Sequence, residues 1–360
     1  MDHPQPANIQ KHSKSDDALV SPTTDTTVHE TSGTPRDDPS NQKKRGEVLA
    51  SIGRNGLVIV AGAGVSIQSV DHQAPISDVA RWPGLLNHGV NYCLKHQLID
   101  PEEESIVREQ IKLGNKPGKT DYLIEAAQRI HDSLGETERS RYLWFEDSIG
   151  QLKVNDPRLI RAIQGLGGLI TTLNYDDLVE QVTHWTSLAL HQHAEVTKCI
   201  RERKKEVVIH LHGLWKIPDS IVLDRLSYER IKSDGEARDR IRTFARDYTM
   251  VFVGCGNTFS DPNFETLLSW AKDVLNEARF QHYILCRQSD EPKLLSTLPS
   301  DGFFTSLVYG EGYQDLSPFL EALGDESGTS SNATNPPVAP IEMGSKTIRP
   351  SDIWKLQAQR

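Results

Sequence analysis

The sequence is poor in cysteine and has no long apolar segment. Its four cysteines, in a chain of 360 residues, form no Cys-x-x-Cys pair, so neither a zinc ribbon nor a disulfide framework is indicated. No apolar run approaches the roughly 18 residues of a membrane span, and no apolar segment follows Met1 as in a secretory signal. We therefore predict an intracellular, cytoplasmic protein that binds no zinc and does not interact with a membrane.

Basic and aromatic residues are also limited. The net charge of −10 argues against binding to nucleic acid or to an anionic membrane surface. Residues 1–45 contain no Phe, Tyr or Trp, and after Gly324 the composition turns to Ser, Gly, Thr, Asn and Pro. Such segments cannot bury enough apolar surface to fold. We predict disordered or flexible tails at 1–46 and 326–360, either of which could instead carry a docking segment, around one domain at 47–325.

Within that domain, short apolar runs alternate with helical patterns. The runs predict strands at 57–60, 168–173, 207–213, 250–253, 282–286 and 305–309. Residues 228–245 are expected to form a helix. The stretch 85–163 is helical in pattern and too long for one crossover, which predicts an inserted helical layer. Together these features predict an α/β fold with a Rossmann-like parallel sheet covered by helices on both faces.

The first predicted strand runs directly into a glycine-rich turn. Gly62 and Gly64 follow Ala61, and Ser66 stands where a helix should begin. A strand that turns through glycines into a helix presents backbone N–H groups that bind phosphate. The third glycine of a dinucleotide-binding fingerprint would fall on Ile67, so the turn alone indicates either a phosphate cradle or a tight strand–helix connection.

Three further strand ends carry polar or glycine residues. The second predicted strand is followed by Asn174 and Asp176, and the third ends in His210 and His212. Ligands of parallel α/β sheets bind beyond the carboxyl ends of the strands, so these residues point to one crevice. Asn174 could instead form an Asx turn. The two histidines share a strand face, but no acidic or cysteine partner lies at ligand spacing, so a metal site is not predicted.

In chain order the strand-end motifs resemble those of the sirtuin (SIR2) superfamily. The matching segments are Gly62-Ala63-Gly64-Val65-Ser66, Thr172-Leu173-Asn174-Tyr175-Asp176, His212-Gly213 and Val253-Gly254-Cys255-Gly256. The residues of these motifs are more similar to those of the SIR2-like branch, which includes NAD-consuming enzymes of bacterial antiviral defence. Sirtuin deacylases carry G-I-P-D-F-R after the first motif and two zinc-binding cysteine pairs. This chain has Val70-Asp71-His72 and no such pairs, which argues against deacylation.

The resemblance implies an NAD+ glycohydrolase that releases nicotinamide and ADP-ribose and acts as an NAD-depleting defence effector. It implies that Asn174 positions the ribose or the attacking water and that His212 is the general base. The cofactor-binding residues by resemblance are Ala61, Gly62, Ala63, Gly64, Ser66, Asp176, Gly254, Cys255 and Gly256. Asp176 would contact the nicotinamide carboxamide. We interpret His210 and Asp177 as structural neighbours.

Two alternatives remain at this point. The domain could sense NAD+ or ADP-ribose without turnover, or it could catalyse protein deacylation or ADP-ribosyl transfer. The intact pair of Asn174 and His212 favours hydrolysis over sensing. The expected partners are NAD+, further copies of this chain in a homo-oligomer and a possible separate activator chain, because no regulatory domain is evident in the sequence.

Overall fold

The computed structural model describes residues 38–116, 118–135, 137–255, 280–298 and 302–328. The predicted site residue Gly256 lies outside the described residues. So does the helix start that the sequence indicates at Ser260-Asp261-Pro262, with Asp261 as its N-cap. None of the described helices is long and apolar enough to cross a membrane.

The described strands form one parallel sheet. They are β1 (Leu57–Ala61), β2 (Leu169–Thr172), β3 (Thr186–Ala189), β4 (Val207–His210), β5 (Thr249–Val253), β6 (His282–Arg287) and β7 (Phe304–Gly310). Their order is β3-β4-β2-β1-β5-β6-β7, and every neighbouring pair is parallel. From β1 the chain adds strands on one side and then crosses to β5 on the other. The predicted Rossmann-like α/β fold is confirmed, with its topological switch point beside β1.

The central strands are buried on both faces. Every residue of β1, β2, β4 and β5 is buried, as expected for a parallel sheet between helical layers. Side chains alternate along a strand, so Ile59 joins one apolar cluster while Val58 and Val60 join the other. The sheet thus separates two cores.

Thirteen helices are described around the sheet. They are α1 (Pro39–Gly53), α2 (Ala63–Ser69), α3 (Trp82–Lys95), α4 (Pro101–Gly114), α5 (Asp121–Leu134), α6 (Glu138–Asp147), α7 (Arg158–Gly165), α8 (Leu178–Thr183), α9 (His193–Glu202), α10 (Arg225–Ser233), α11 (Gly235–Asp247), α12 (Glu291–Thr297) and α13 (Leu316–Glu326). Buried residues of α3 to α7 share a cluster with Ile59, whereas α9, α11 and α12 contribute to the cluster of Val58. The helical layer at 82–165 therefore covers one face.

Two elements differ from the sequence-based prediction. The edge strand β3 was not predicted, because Thr186 and Ser187 interrupt any apolar run and the strand has only four residues. The single helix expected over 228–245 is two helices that meet at Asp234. The Asp234 side chain accepts a hydrogen bond from the Ala237 backbone N–H and so begins α11 as an N-cap.

Helix α1 begins within the segment predicted to be disordered. Asp38 caps the helix by accepting a hydrogen bond from the Asn41 N–H at 3.0 Å. The Asn41 side chain then donates to the carbonyl of Val308 and accepts from its N–H, both at 2.9 Å. Val308 lies on the edge strand β7, so Asn41 satisfies backbone groups that an edge leaves open. The predicted boundary at residue 46 falls inside this helix.

Candidate active site

The turn between β1 and α2 is held against the end of β5 by direct backbone contact. The N–H groups of Gly62 and Gly64 donate to the carbonyls of Val253 and Gly254, each at 2.9 Å. A Cβ on Gly62 would lie 2.6 Å from the Cys255 sulfur, and one on Gly64 would lie 2.8 Å from the Gly254 Cα. Both contacts are closer than carbon atoms tolerate. The glycines are therefore required for packing between the two strand ends.

In these contacts, backbone N–H groups that we expected to bind phosphate donate to carbonyl groups of the protein instead. Gly62 and Gly64 donate to β5, and the Val65 N–H donates to the Gly62 carbonyl at 2.9 Å. Two other residues predicted to bind the cofactor are fully buried, one in β1 and one just beyond the end of β5. Ala61 accepts a hydrogen bond from the Leu173 N–H at 2.9 Å, and the Cys255 sulfur lies 3.7 Å from the carbonyl oxygens of Val60 and Val253.

Beside this turn, three polar side chains form a continuous hydrogen-bonded chain. Ser66 Oγ donates to Asp176 Oδ2 at 2.6 Å, and Asn174 Nδ2 donates to Ser66 Oγ at 2.8 Å and to the Gly62 carbonyl at 3.0 Å. Because Ser66 donates to a carboxylate and Gly62 offers a carbonyl, the amide nitrogen of Asn174 must face both. Asn174 Oδ1 is the polar atom of this side chain that remains for a ligand.

Asp176 is buried in this network. Its other oxygen, Oδ1, accepts from the Leu178 backbone N–H at 3.2 Å, at the start of α8. Desolvation raises the pKa of Asp176 to about 6, against the opposing effect of its two hydrogen bonds. At neutral pH the carboxylate is mainly ionised, and it is ready to accept a further hydrogen bond.

His212 lies just beyond β4 and differs from these groups in its hydrogen bonding. It is 6% exposed, and its Nδ1 atom is buried with no hydrogen-bond partner among the described residues. Desolvation alone lowers its pKa to about 3, so the ring is neutral near pH 7. Gly213 follows with φ of +91°, and a Cβ there would overlap the Ser220 carbonyl. This glycine lets the chain turn immediately after the histidine.

Asn174, Asp176 and His212 line one cleft together with Ala63. The cleft encloses about 560 Å³, including space open to solvent. Its remaining walls are formed by Val79, Ala80, Arg81, Trp82, Leu85, Ile149, Leu152, Leu173 and Tyr175. A mainly apolar cleft with a few convergent polar groups is the usual form of a small-molecule site. The structure thus brings the predicted catalytic pair and Asp176 into one site.

Comparison with known proteins finds two similarities. Residues 168–302 match the family described as SIR2-like domain. A curated protein of Enterococcus faecium, named NAD(+) hydrolase ThsA, is 25% identical over 241 residues, which is 66% of this chain and 44% of that protein. This chain therefore spans less than half the length of that relative. The resemblance seen in the motifs is confirmed.

The site also includes residues that no motif singled out. Among the described residues, Arg81 is the one cationic side chain of the cleft lining, and it lies at the junction with the helical layer, half-exposed and 3.3 Å from Asp78. Glu180, on α8, has a side chain that is only 10% exposed, and it pairs with His210. The sequence carried one signal for Glu180, which directly follows the apolar residues Leu178 and Val179. A carboxylate in such a position is expected to have a partner, because burial of an unpaired charge is costly.

Among the described residues, no group of three or more His, Cys, Asp or Glu side chains could hold a metal ion. All four cysteines are buried. Asp177, interpreted as structural, bridges two segments: Gln181 Nε2 donates to it at 3.0 Å, and Lys216 Nζ lies 2.6 Å from its other oxygen. Its pKa is lowered by these hydrogen bonds, which outweigh burial.

Proposed function

We propose that this protein hydrolyses NAD+ at the nicotinamide–ribose bond, giving nicotinamide and ADP-ribose. The SIR2-like domain and the similarity to a protein named as an NAD(+) hydrolase support this reaction. One observation carries it further. A neutral, buried His212 with an unpartnered ring nitrogen lines the same cleft as Asn174, whose side-chain oxygen is available to a ligand.

The reaction needs an oriented sugar, a water and a proton acceptor. The C1′–N bond breaks and its electron pair leaves with nicotinamide, which neutralises the pyridinium. A water oxygen bonds to C1′ of the cationic, oxocarbenium-like ribose and loses one proton. A neutral imidazole accepts such a proton, and we assign this role to His212. Asn174 Oδ1 accepts a hydrogen bond from the water or from a ribose hydroxyl and so holds it in place.

Binding of the two ends of NAD+ follows from the surrounding groups. The buried Asp176 carboxylate accepts a hydrogen bond from the carboxamide N–H₂ of nicotinamide. Ala63 and Ser66, next to the glycine turn, lie beside the pyrophosphate, and Arg81 supplies positive charge toward it. Gly62, Gly64 and Gly254 shape this turn by packing, and Ala61 and Cys255 support it from within the sheet. Contact by Gly256 stays a prediction.

A second function, binding of NAD+ or ADP-ribose without turnover, is favoured by one feature. The nitrogen of Asn174, the hydroxyl of Ser66 and the carboxylate of Asp176 already satisfy each other. A ligand must therefore bind beside these three side chains without replacing their hydrogen bonds, which is compatible with binding that is not followed by cleavage.

Nicotinamide release separates the two functions. Purified protein is incubated with NAD+, and nicotinamide and ADP-ribose are quantified by chromatography. Hydrolysis predicts both products in equal amounts from the wild type and neither from Asn174→Ala or His212→Ala. Binding of ADP-ribose by the wild type without product formation would support sensing instead.

The biological role extends this proposal. NAD+ depletion in defence requires control of the enzyme, and we expect self-association or a separate activator chain to supply it. Light scattering of the active protein tests self-association, and a fully active monomer would contradict it. The deacylase alternative is tested by metal analysis, because stoichiometric zinc in pure protein would reopen it.

A further inference from the structure

His210, two residues before the proposed base, is fully buried at the end of β4. Each of its ring nitrogens faces an acceptor. Nε2 lies 2.7 Å from Glu180 Oε1, and Nδ1 lies 3.3 Å from the backbone carbonyl oxygen of Asn174. The ring therefore joins helix α8 to the residue that carries the proposed water-binding side chain.

The partners determine the protonation of this ring. A neutral imidazole has one N–H group and could donate to only one of the two acceptors. Ser187 Oγ lies 2.6 Å from Glu180 Oε1 and donates to it, as expected for an ionised carboxylate. An imidazolium beside a carboxylate satisfies these three contacts, whereas Glu180 Oε2 is buried without a hydrogen-bond partner among the described residues. In agreement, hydrogen bonding and attraction by Glu180 outweigh burial and raise the pKa of His210, and Asp176 adds to the effect.

Asn174 is consequently held from two directions. Its side chain bonds to Ser66 and to the Gly62 carbonyl, and its backbone N–H donates to Thr172 Oγ1 at 3.0 Å. The remaining backbone group, the carbonyl, is the one that His210 holds. Releasing that carbonyl would let the peptide plane at 174 rotate and would move the side-chain oxygen away from the water.

We propose that His210 and Glu180 form a buried ion pair that clamps the Asn174 backbone and so positions the Asn174 side chain for NAD+ cleavage. His210 is then a positioning residue, and this role rests on the proposed hydrolase function. It also changes the expectation from sequence, in which His210 was a structural neighbour of little consequence for the rate.

The test must separate positioning from folding. His210→Ala would leave Glu180 buried and unpaired and could unfold the protein, so isosteric neutral variants are preferable. Glu180→Gln removes the charge and keeps the acceptor. The double variant His210→Gln with Glu180→Gln removes both charges together. His131→Gln is the matched control: His131 Nδ1 lies 2.6 Å from Asp224 Oδ2, but that pair caps α10 instead of contacting Asn174.

We expect both neutral variants to lower kcat at least about tenfold while KM for NAD+ stays within about threefold, because orientation is lost but binding groups remain. Affinity for ADP-ribose, measured by calorimetry, should match the wild type. His131→Gln should keep the wild-type kcat. A fall in melting temperature with unchanged kcat per folded molecule would overturn the clamp.

Ring protonation gives a readout that does not depend on activity. In protein labelled with 15N at histidine, His210 should still show two ring N–H groups at a pH where an unperturbed histidine, with a pKa of roughly 6.5, is mostly neutral. Glu180→Gln should convert it to the neutral form. A neutral His210 in the wild type would overturn the proposal. If the wild type releases no nicotinamide, the proposed hydrolase function fails and the positioning role with it, whereas unchanged kcat in an active protein overturns the clamp alone.

Discussion

The two halves of the strand-end crevice contribute different things. At the ends of β1 and β5, backbone meets backbone, with Gly64 and Gly254 too close for any side chain between them. At the ends of β2 and β4, the side chains of Asn174, Asp176 and His212 reach into the cleft. The first half is a packing requirement that holds before any ligand binds. Substitutions there should act through the fold, and only the second half offers clean tests of chemistry.

A second contrast lies within the polar half. His210 and His212 are two residues apart and both buried, yet their environments are opposite. His210 has an acceptor at each nitrogen, and its pKa is raised. His212 has an unpartnered Nδ1, and desolvation lowers its pKa to about 3. The difference shows that partners, more than depth of burial, decide the charge of a histidine.

The largest expected effect is the loss of nicotinamide release when His212 is replaced. His212→Ala should lower nicotinamide release by about 10²- to 10⁴-fold, the usual contribution of a general base. The free energy of unfolding should change by only about 1 kcal/mol, because the His212 ring makes no side-chain hydrogen bond to any of the described residues. Product release per folded molecule and a denaturant titration check both expectations. Wild-type turnover by this variant would remove His212 from the mechanism.

The next effect concerns stability. Glu180→Ala should lower the free energy of unfolding by about 3 to 5 kcal/mol, because the buried His210 ring loses its ion-pair partner and must give up its proton, and Ser187 loses its acceptor. Glu180→Gln should cost clearly less, since it keeps an acceptor for the ring and for Ser187. Urea unfolding monitored by circular dichroism gives both values. Equal losses from the two variants would mean that the charge of the pair is unimportant.

The packing between the ends of β1 and β5 is tested by Gly64→Ala, which places a methyl group against the Gly254 backbone. We expect a loss of about 1 to 3 kcal/mol in the free energy of unfolding, the usual cost of overpacking. Gly46→Ala is the control, because Gly46 lies in α1 with nothing within 4 Å of its Cβ position. That change should stabilise by about 0.5 to 1 kcal/mol. Thermal melts of the two variants would contradict the packing argument if they shifted alike.

The last comparison concerns the pH dependence of stability. The folded pKa of His212 is about 3, below the roughly 6.5 of the unfolded chain, so below pH 6.5 the unfolded state binds a proton that the native state refuses. Wild type should lose stability relative to His212→Gln by about 1.4 kcal/mol per pH unit as the pH falls through this window. Paired denaturant titrations measure the difference, and a constant difference would show that His212 has a normal pKa.

Much of the architecture could be predicted locally. Apolar runs such as Leu57–Ala61 are buried on both faces, and that pattern is typical of parallel sheets whatever the rest of the chain does. Parallel strands end at one edge, which is why Asn174, Asp176 and His212 could be expected in one crevice before their cleft was seen. Short polar elements gave no such signal: β3 and the break at Asp234 depend on an edge position and on a side-chain cap.

The sequence by itself therefore determined the fold class and the set of residues at the strand ends, because both follow from short-range pattern and strand direction. Only the tertiary structure decided what those residues do for one another. The glycine amides are occupied because β5 crosses to lie beside β1, and Cys255 faces inward for the same reason. The charge of His210 depends on Glu180, which lies thirty positions away in the chain. Burial and hydrogen-bond partners act through space, so a motif can name a histidine without fixing its protonation.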